Sequence, residues 1–342
     1  MSANPRRVLI VKLSAIGDVL HTLPVAVALR RALPEAEIAW AVEGRARDLL
    51  TDHPAIDRVI SLRRHWLTSP ASVLEIRKRL HEFSPDVTID AQGLFKSGML
   101  SWLSGAGMRI GYAAPEAREG SAFFSTHRIA PTAAHVVDRH LELLAPLGIT
   151  AGEPRFNMPR PEESRRSVDA WWKTLALPDA PAVMNPGAGW TSKLWPTERF
   201  AAVARQLGRR HGLVSLVVWG GGSEREAAER IVAASEGEAI MAPATSLTEL
   251  AEVAARARVF LSSDTGPLHL AAAMGTPCVG LFGPVPASRN GPYGSRHITV
   301  EPPAGIRPAW KDRKRDTQSM RAIDADRVVA VTSQLISRLA AA

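Results

Sequence analysis

The chain has 342 residues, room for two domains at about 100–200 residues each. A 46% hydrophobic share with 22% charged residues excludes a disordered or fibrous chain, and the single Cys278 excludes an intramolecular disulfide or a Cys-rich zinc site. A reducing compartment is the natural home for such a chain. Lys and Arg number 42 against 34 Asp and Glu, and the resulting +8 leans toward an anionic partner: phosphorylated substrate, membrane surface or nucleic acid.

No stretch reaches the ~18 consecutive apolar residues of a membrane span. The opening MSANPRRVLIVKLSAIGDVL superficially resembles a signal peptide, but Lys12 interrupts the apolar run and Asp18 follows it. A buried first strand fits better, so a cytoplasmic protein is expected.

Val8–Val11 is a short continuous apolar run with β-branched residues, the pattern of a strand buried on both faces of a parallel sheet. Gly17 marks a turn after it, and Asp18–Arg31 then shows helical spacing, with Pro24 either kinking that helix or beginning its regular part. Further strands are predicted at Ile38–Val42, Arg58–Leu62 and Val87–Asp90, with helices near Ser72–Phe83, Gly93–Leu103 and Ala133–Leu147. Gly148–Arg165 holds three prolines and little periodicity, as an interdomain linker would.

A second alternating series follows, with strands at Ala182–Asn185, Leu213–Trp219, Ala239–Met241, Arg258–Ser262 and Cys278–Phe282. Helices are predicted between them at Thr197–Arg210, Glu224–Ser235, Leu247–Ala255 and Pro267–Met274. Ser246 and Glu249 have capping-box spacing. Val328, Val331, Leu335 and Leu339 recur on one face of a closing amphipathic helix. The pattern predicts an α/β protein of two doubly wound domains, residues 1–160 and 161–322, with a terminal helix, 323–342, expected to pack back on the first. Ligands would lie in a cleft between the carboxyl ends of the two sheets.

Four strand-to-helix junctions carry the chemistry. In Lys12-Leu13-Ser14-Ala15-Ile16-Gly17-Asp18, Asp18 reads either as an N-cap answering the helix dipole or as a catalytic carboxylate. The junction lacks G-x-G-x-x-G, which counts against a nicotinamide-dependent oxidoreductase. Asn185–Pro196 (NPGAGWTSKLWP) combines Gly187, Gly189, Thr191 and Ser192 with Lys193 between two tryptophans, a pattern suited to clamping phosphate. Trp219-Gly220-Gly221-Gly222-Ser223-Glu224 opens the backbone to a ligand, and Glu224 can either bind a ribose diol or simply favour the helix start. In Ser262–Pro277 a polar turn, Asp264-Thr265-Gly266, begins a small-residue helix on which a diphosphate can sit, with His269 one turn in.

These runs, with IDAQGLFKSG and in this order, resemble family 9 glycosyltransferases over about Val8–Gly283. The resemblance implies a GT-B fold of two Rossmann-like domains facing a central cleft, with the donor held mainly by the C-terminal one. It also implies an inverting transfer without a metal or other cofactor. The expected donor is ADP-heptose, and the expected acceptor an anionic inner-core glycolipid of lipid A–Kdo type. Carried over residue by residue, Asp18 matches the base, Lys193 the donor-phosphate lysine and Glu224 the ribose acid, with Gly17, Trp219 and Gly220 beside the donor. Asp264, Thr265, Gly266 and His269 match the turn that grips the donor's phosphates and sugar. Arg63, Arg64, Arg118 and His135 fall on the acceptor side. Peripheral contact with the inner membrane surface is a further implication.

Arg307–Arg321, with six basic residues, departs from that pattern and reads as a solvated charged loop. The bottom-up chemistry agrees with the resemblance: a carboxylate for the acceptor hydroxyl, and a lysine, loop amides and a helix N-terminus for the departing diphosphate. The rival readings are a family 9 enzyme with another nucleotide-sugar or acceptor, a nicotinamide-dependent oxidoreductase, and a nucleic-acid-binding protein. The last rests only on net charge and has no recognised module, so no nucleic-acid partner is expected.

Overall fold

The computed structural model describes residues 5–341 and divides into two compact units, Met1–Pro159 and Arg160–Ala342. The first unit runs β1 (Arg7–Val11), α1 (Ile16–Ala32), β2 (Glu37–Glu43), β3 (Arg58–Leu62), α2 (Pro70–Phe83), β4 (Val87–Asp90), α3 (Phe95–Leu103), β5 (Met108–Tyr112), β6 (His127–Ile129) and α4 (Val136–Glu142). The second begins with α5 (Glu162–Thr174), β7 (Ala182–Asn185), α6 (Thr197–His211), β8 (Ser215–Val217), α7 (Gly222–Ala233) and β9 (Ala239–Met241). It continues through α8 (Leu247–Arg256), β10 (Val259–Ser263), α9 (Gly266–Ala273), β11 (Cys278–Leu281), α10 (Ala287–Asn290), β12 (Ile298–Val300) and α11 (Ala325–Ala341).

Each unit has one six-stranded sheet, ordered β3-β2-β1-β4-β5-β6 in the first and β9-β8-β7-β10-β11-β12 in the second, and every pairing is parallel. Counted from its own first strand, each sheet therefore has the same order. The order reverses between β1 and β4 in one unit and between β7 and β10 in the other. At such a switch point the two following loops diverge to opposite faces of the sheet and leave a crevice beyond the strand ends. Val8–Val11 are wholly buried because helices cover both faces, which is why this strand reads as an unbroken apolar run.

Three local expectations are corrected. Helix α1 starts at Ile16, so Gly17 lies inside its first turn, and the helix runs through Pro24 without starting or ending there. The expected linker is shorter at its far end, because α5 begins at Glu162, where two glutamates complement the helix dipole. Helix α11, expected to pack back on the first unit, is part of the second core: Val328, Val329, Leu335 and Ile336 join Phe200, Leu207 and Val300. Its apolar stripe shows that one face is covered but carries no information on which sheet covers it. Ser246 and Glu249 do form the reciprocal cap of α8, through Ser246 Oγ to the Glu249 amide (3.2 Å) and Glu249 Oε2 to the Ser246 amide (2.7 Å).

Candidate active site

At the first unit's switch point, the end of β4 braces the end of β1. Asp90 is buried and accepts from the amides of Gln92 (2.9 Å) and Gly93 (3.1 Å) and from Ser97 Oγ (2.9 Å). Burial raises its pKa above the usual carboxylate range, against those hydrogen bonds and the nearby Lys12 charge. Lys12 is itself buried and donates to the Ala91 carbonyl at 2.8 Å. Gln92 Oε1 accepts from the amides of Leu13 (3.1 Å) and Ser14 (3.4 Å), so the IDAQG run holds the KLSAIGD loop in place.

On that braced loop Asp18 is exposed. The N-cap position, one of its two readings, falls to Ala15, because the helix starts two residues earlier than its pattern suggested. Asp18 sits at the third helical position and its Oδ2 accepts from the Ala15 amide at 3.1 Å. That bond orients the carboxylate without burying it, and among the described residues Asp18 makes no ion pair. His135 caps α4, accepting from the Val137 amide at 3.2 Å, and its ring meets the edge of His21 on α1 at 5.9 Å. Arg63 and Arg64 are exposed just past β3, whereas Trp66 is buried in the core under α2. Arg118 is exposed on the loop after β5, which is tied to the Gln92 loop through the Arg118 amide and the Gly93 carbonyl (2.9 Å).

The second unit's switch point gathers most of the remaining candidates. Asn185, the last residue of β7, donates to Ser262 Oγ (2.9 Å), Thr265 Oγ1 (3.3 Å) and the Gly187 carbonyl (3.3 Å), joining the glycine loop to the Asp-Thr-Gly turn. Lys193 Nζ lies 2.5 Å from Asp264 Oδ2 and 4.5 Å from the centre of the Trp190 ring. His269 Nε2 donates to Asp264 Oδ1 (3.1 Å), and Asn290 Nδ2 reaches both carboxylate oxygens (3.4 and 3.3 Å). Burial alone would raise the Asp264 pKa, but the His269 hydrogen bond and the Lys193 charge outweigh it and hold the group below the usual range. Thr265 leaves the N-terminus of α9 without a side-chain cap, so amide donors at that end are open to an anion.

Glu224 joins the third junction to the second. It occupies the third position of α7, accepts from the Gly220 amide at 2.7 Å, and lies so close to Gly187 that a methyl there would fall on its carboxylate. Gly187 is thus required by a side-chain approach and not by its own backbone angle. Trp219 donates to the Ala242 carbonyl (2.8 Å), while Gly189 and Thr191 lie on the open side of the loop and Ser192 is buried.

Arg307–Arg321 is exposed at most positions, as a solvated loop would be, but two of its cations rest on indoles. Arg313 stacks over Trp310 with its guanidinium carbon 4.0 Å from the ring centre, and both Arg313 and Lys314 reach Trp190. Cationic side chains recover on an indole face much of what they lose in hydration. The residues overlooked from sequence are Gln92, Asn185 and Asn290, uncharged amides whose value is positional. Among the described residues no three His, Cys, Asp or Glu cluster as a metal site would require, and no helix is long and apolar enough to cross a membrane.

A family model described as "Glycosyltransferase family 9 (heptosyltransferase)" matches residues 73–319. The chain is similar to lipopolysaccharide heptosyltransferase 1 of Pseudomonas aeruginosa, 35% identical over 303 residues that cover 85% of this chain and 82% of the relative. It is also similar to two solved structures of the Escherichia coli heptosyltransferase WaaC. The one with ADP has a TM-score of 0.77 and 28% identity, covering 96% of this chain and 99% of that one. The one with ADP-2-deoxy-2-fluoro heptose has a TM-score of 0.75 at the same identity and coverage.

Proposed function

The chain belongs to glycosyltransferase family 9 and is a glycosyltransferase of the GT-B type; from that premise we propose that it transfers heptose from ADP-heptose to an anionic inner-core lipopolysaccharide acceptor. The observation that carries the donor half is the Lys193–Asp264–His269 group beside the uncapped start of α9. Asp264 holds Lys193 and His269 in place, and the ammonium and helix amides take the charge that grows on the diphosphate as it departs. Glu224, fixed at the glycine loops, accepts from the ribose hydroxyls. The E. coli relative's ADP and fluoro-heptose complexes support ADP-heptose as the donor.

Asp18 is the base. In a single displacement the acceptor oxygen bonds to the anomeric carbon as the carbon–oxygen bond to diphosphate breaks, inverting that centre. The acceptor's proton passes to Asp18, and the electron pair leaves with ADP. An exposed carboxylate with one orienting amide can receive that proton, and general-base catalysis of this kind contributes about 10²–10⁴-fold. Arg63, Arg64, Arg118 and His135 face the acceptor's carboxylates and phosphates. The reaction runs without a metal, in the cytoplasm, at the inner membrane surface where such an acceptor is presented.

The test is transfer to a lipid A–Kdo acceptor from ADP-heptose, with UDP- and GDP-sugars and NADH as controls and with EDTA added. ADP-heptose alone is expected to support transfer, undiminished by EDTA. Transfer from another nucleotide-sugar would reassign the donor, and loss of activity in EDTA would overturn the metal-free scheme.

A further inference from the structure

The basic segment between β12 and α11 is held at both ends. Arg307 donates to the Gly283 carbonyl (3.2 Å) and pairs with Glu301 (2.7 Å), while Asp316 accepts from the Ser319 amide (3.1 Å) and Met320 is buried in the second core. Between these anchors the side chains of Arg313 and Lys314 reach Trp190, on the loop after β7 that also bears Lys193. Lys193 Nζ, Lys314 Nζ and Arg313 Cζ are 4.5, 5.0 and 5.7 Å from the same indole centre.

Three like charges around one ring repel one another, and a single carboxylate answers them. Asp264 pairs with Lys193; among the described residues neither Arg313 nor Lys314 makes an ion pair. Two positive charges are left without a carboxylate partner, Arg313 half-buried and Lys314 exposed at the surface. In the same turn the Ser192 hydroxyl is buried without a hydrogen-bond partner, and so is Arg313 Nε. A buried polar atom left without a partner is costly and calls for an explanation such as a ligand. A nucleotide-sugar diphosphate carries two negative charges, and the departing nucleoside diphosphate carries more.

We propose that Arg313 and Lys314 complete the diphosphate site begun by Lys193, the segment supplying its second and third cations. The proposal rests on the donor reading above and extends it to a segment beyond the four junction motifs. The indoles help hold the cations in place: Trp310 underlies Arg313, and all three cations lie within about 6 Å of the Trp190 ring centre, which reduces the ordering needed when the anion arrives.

The experiment titrates ADP and AMP into the wild type, R313Q/K314Q and the charge-conserving R313K/K314R, with melting curves to confirm folding. For the glutamine pair, ADP is expected to bind about tenfold more weakly, with a smaller loss for AMP and a shallower dependence on salt. The charge-conserving pair is expected to stay close to wild type. Unchanged ADP affinity in R313Q/K314Q would overturn the proposal, as would equal losses for ADP and AMP or failure of R313K/K314R to restore binding. Wild-type protein that does not bind ADP would instead overturn the donor reading itself.

Discussion

The two switch points put the same pair of residues to different uses. Lys12 directly follows β1 and Asp90 ends β4; in the second unit Lys193 lies further along the loop after β7, and Asp264 directly follows β10. In the first unit both are sealed, with Lys12 5% and Asp90 3% exposed, and Asp90 is satisfied mainly by backbone amides. Burial then dominates and its pKa rises. In the second unit Asp264 is held by charged and polar side chains, its pKa falls, and the lysine side chain is 15% exposed beside an open helix start. One topology thus yields a brace for the Asp18 loop in one place and a more open Lys193–Asp264 pair in the other. The difference lies in whether the aspartate's partners are amides or cations.

The largest expected effect concerns what the brace supports. Asp18→Asn keeps an acceptor for the Ala15 amide but removes the proposed base, and is expected to slow transfer by about 10²–10⁴-fold in a steady-state assay. A rate within a few-fold of wild type would leave Asp18 as a helix-start residue only.

The comparison itself breaks if the two lysines respond alike. Lys12→Met leaves Asp90 buried beside no cation, and is expected to lower unfolding free energy by roughly 3 kcal/mol in denaturant melts. Lys193→Met leaves Asp264 its His269 and Asn290 partners, and is expected to destabilise the fold by clearly less. Equal destabilisation by both would show that the second pair is a structural brace as well.

Acid sharpens the picture of the second unit. His297 accepts from the Cys278 amide (3.2 Å) and contacts the Tyr293 carbonyl (3.0 Å), and burial lowers its pKa to about 4 from 6.5. The unfolded chain therefore binds the extra proton between pH 6.5 and 4 while the fold refuses it, so stability falls with pH across that window, by on the order of 3 kcal/mol. Asp264, whose folded pKa is lowered, adds a further loss once pH drops through that depressed value. Denaturant midpoints at pH 7, 5.5 and 4.5 check this, and a flat series would contradict it.

The smallest effect is expected on the acceptor side. Arg64 and Arg118 are exposed, and such contacts are worth about 0–1 kcal/mol each. Arg64→Ala with Arg118→Ala is expected to raise acceptor KM a few-fold and to lessen its salt dependence, with donor affinity unmoved. An acceptor KM and salt response equal to wild type would place the acceptor elsewhere.

Strand β1 was legible because burial on both faces leaves an uninterrupted apolar run, and β4, β7 and β10 because short apolar stretches lead into the polar residues at their carboxyl ends. Strands β5, β6 and β12 were not: Met108–Tyr112 carries Arg109 and Gly111, and the edge strands are three residues long with polar members. The junction motifs were legible because glycines, a lysine and carboxylates fall at fixed offsets from strands. Arg313 and Lys314 were not, since their meaning comes from Trp190, far away in the chain, and a run of basic residues looks the same whether solvated or stacked. The N3 placement of Asp18 was missed because an alanine N-cap gives no side-chain signal for where α1 begins.

The division of labour between the two switch points is tested most directly by titrating ADP-heptose calorimetrically into wild type, Asp18→Asn and Lys193→Met. The expected result is wild-type affinity in Asp18→Asn and at least about tenfold weaker binding in Lys193→Met. Donor binding lost in Asp18→Asn, or unaltered in Lys193→Met, would contradict the account.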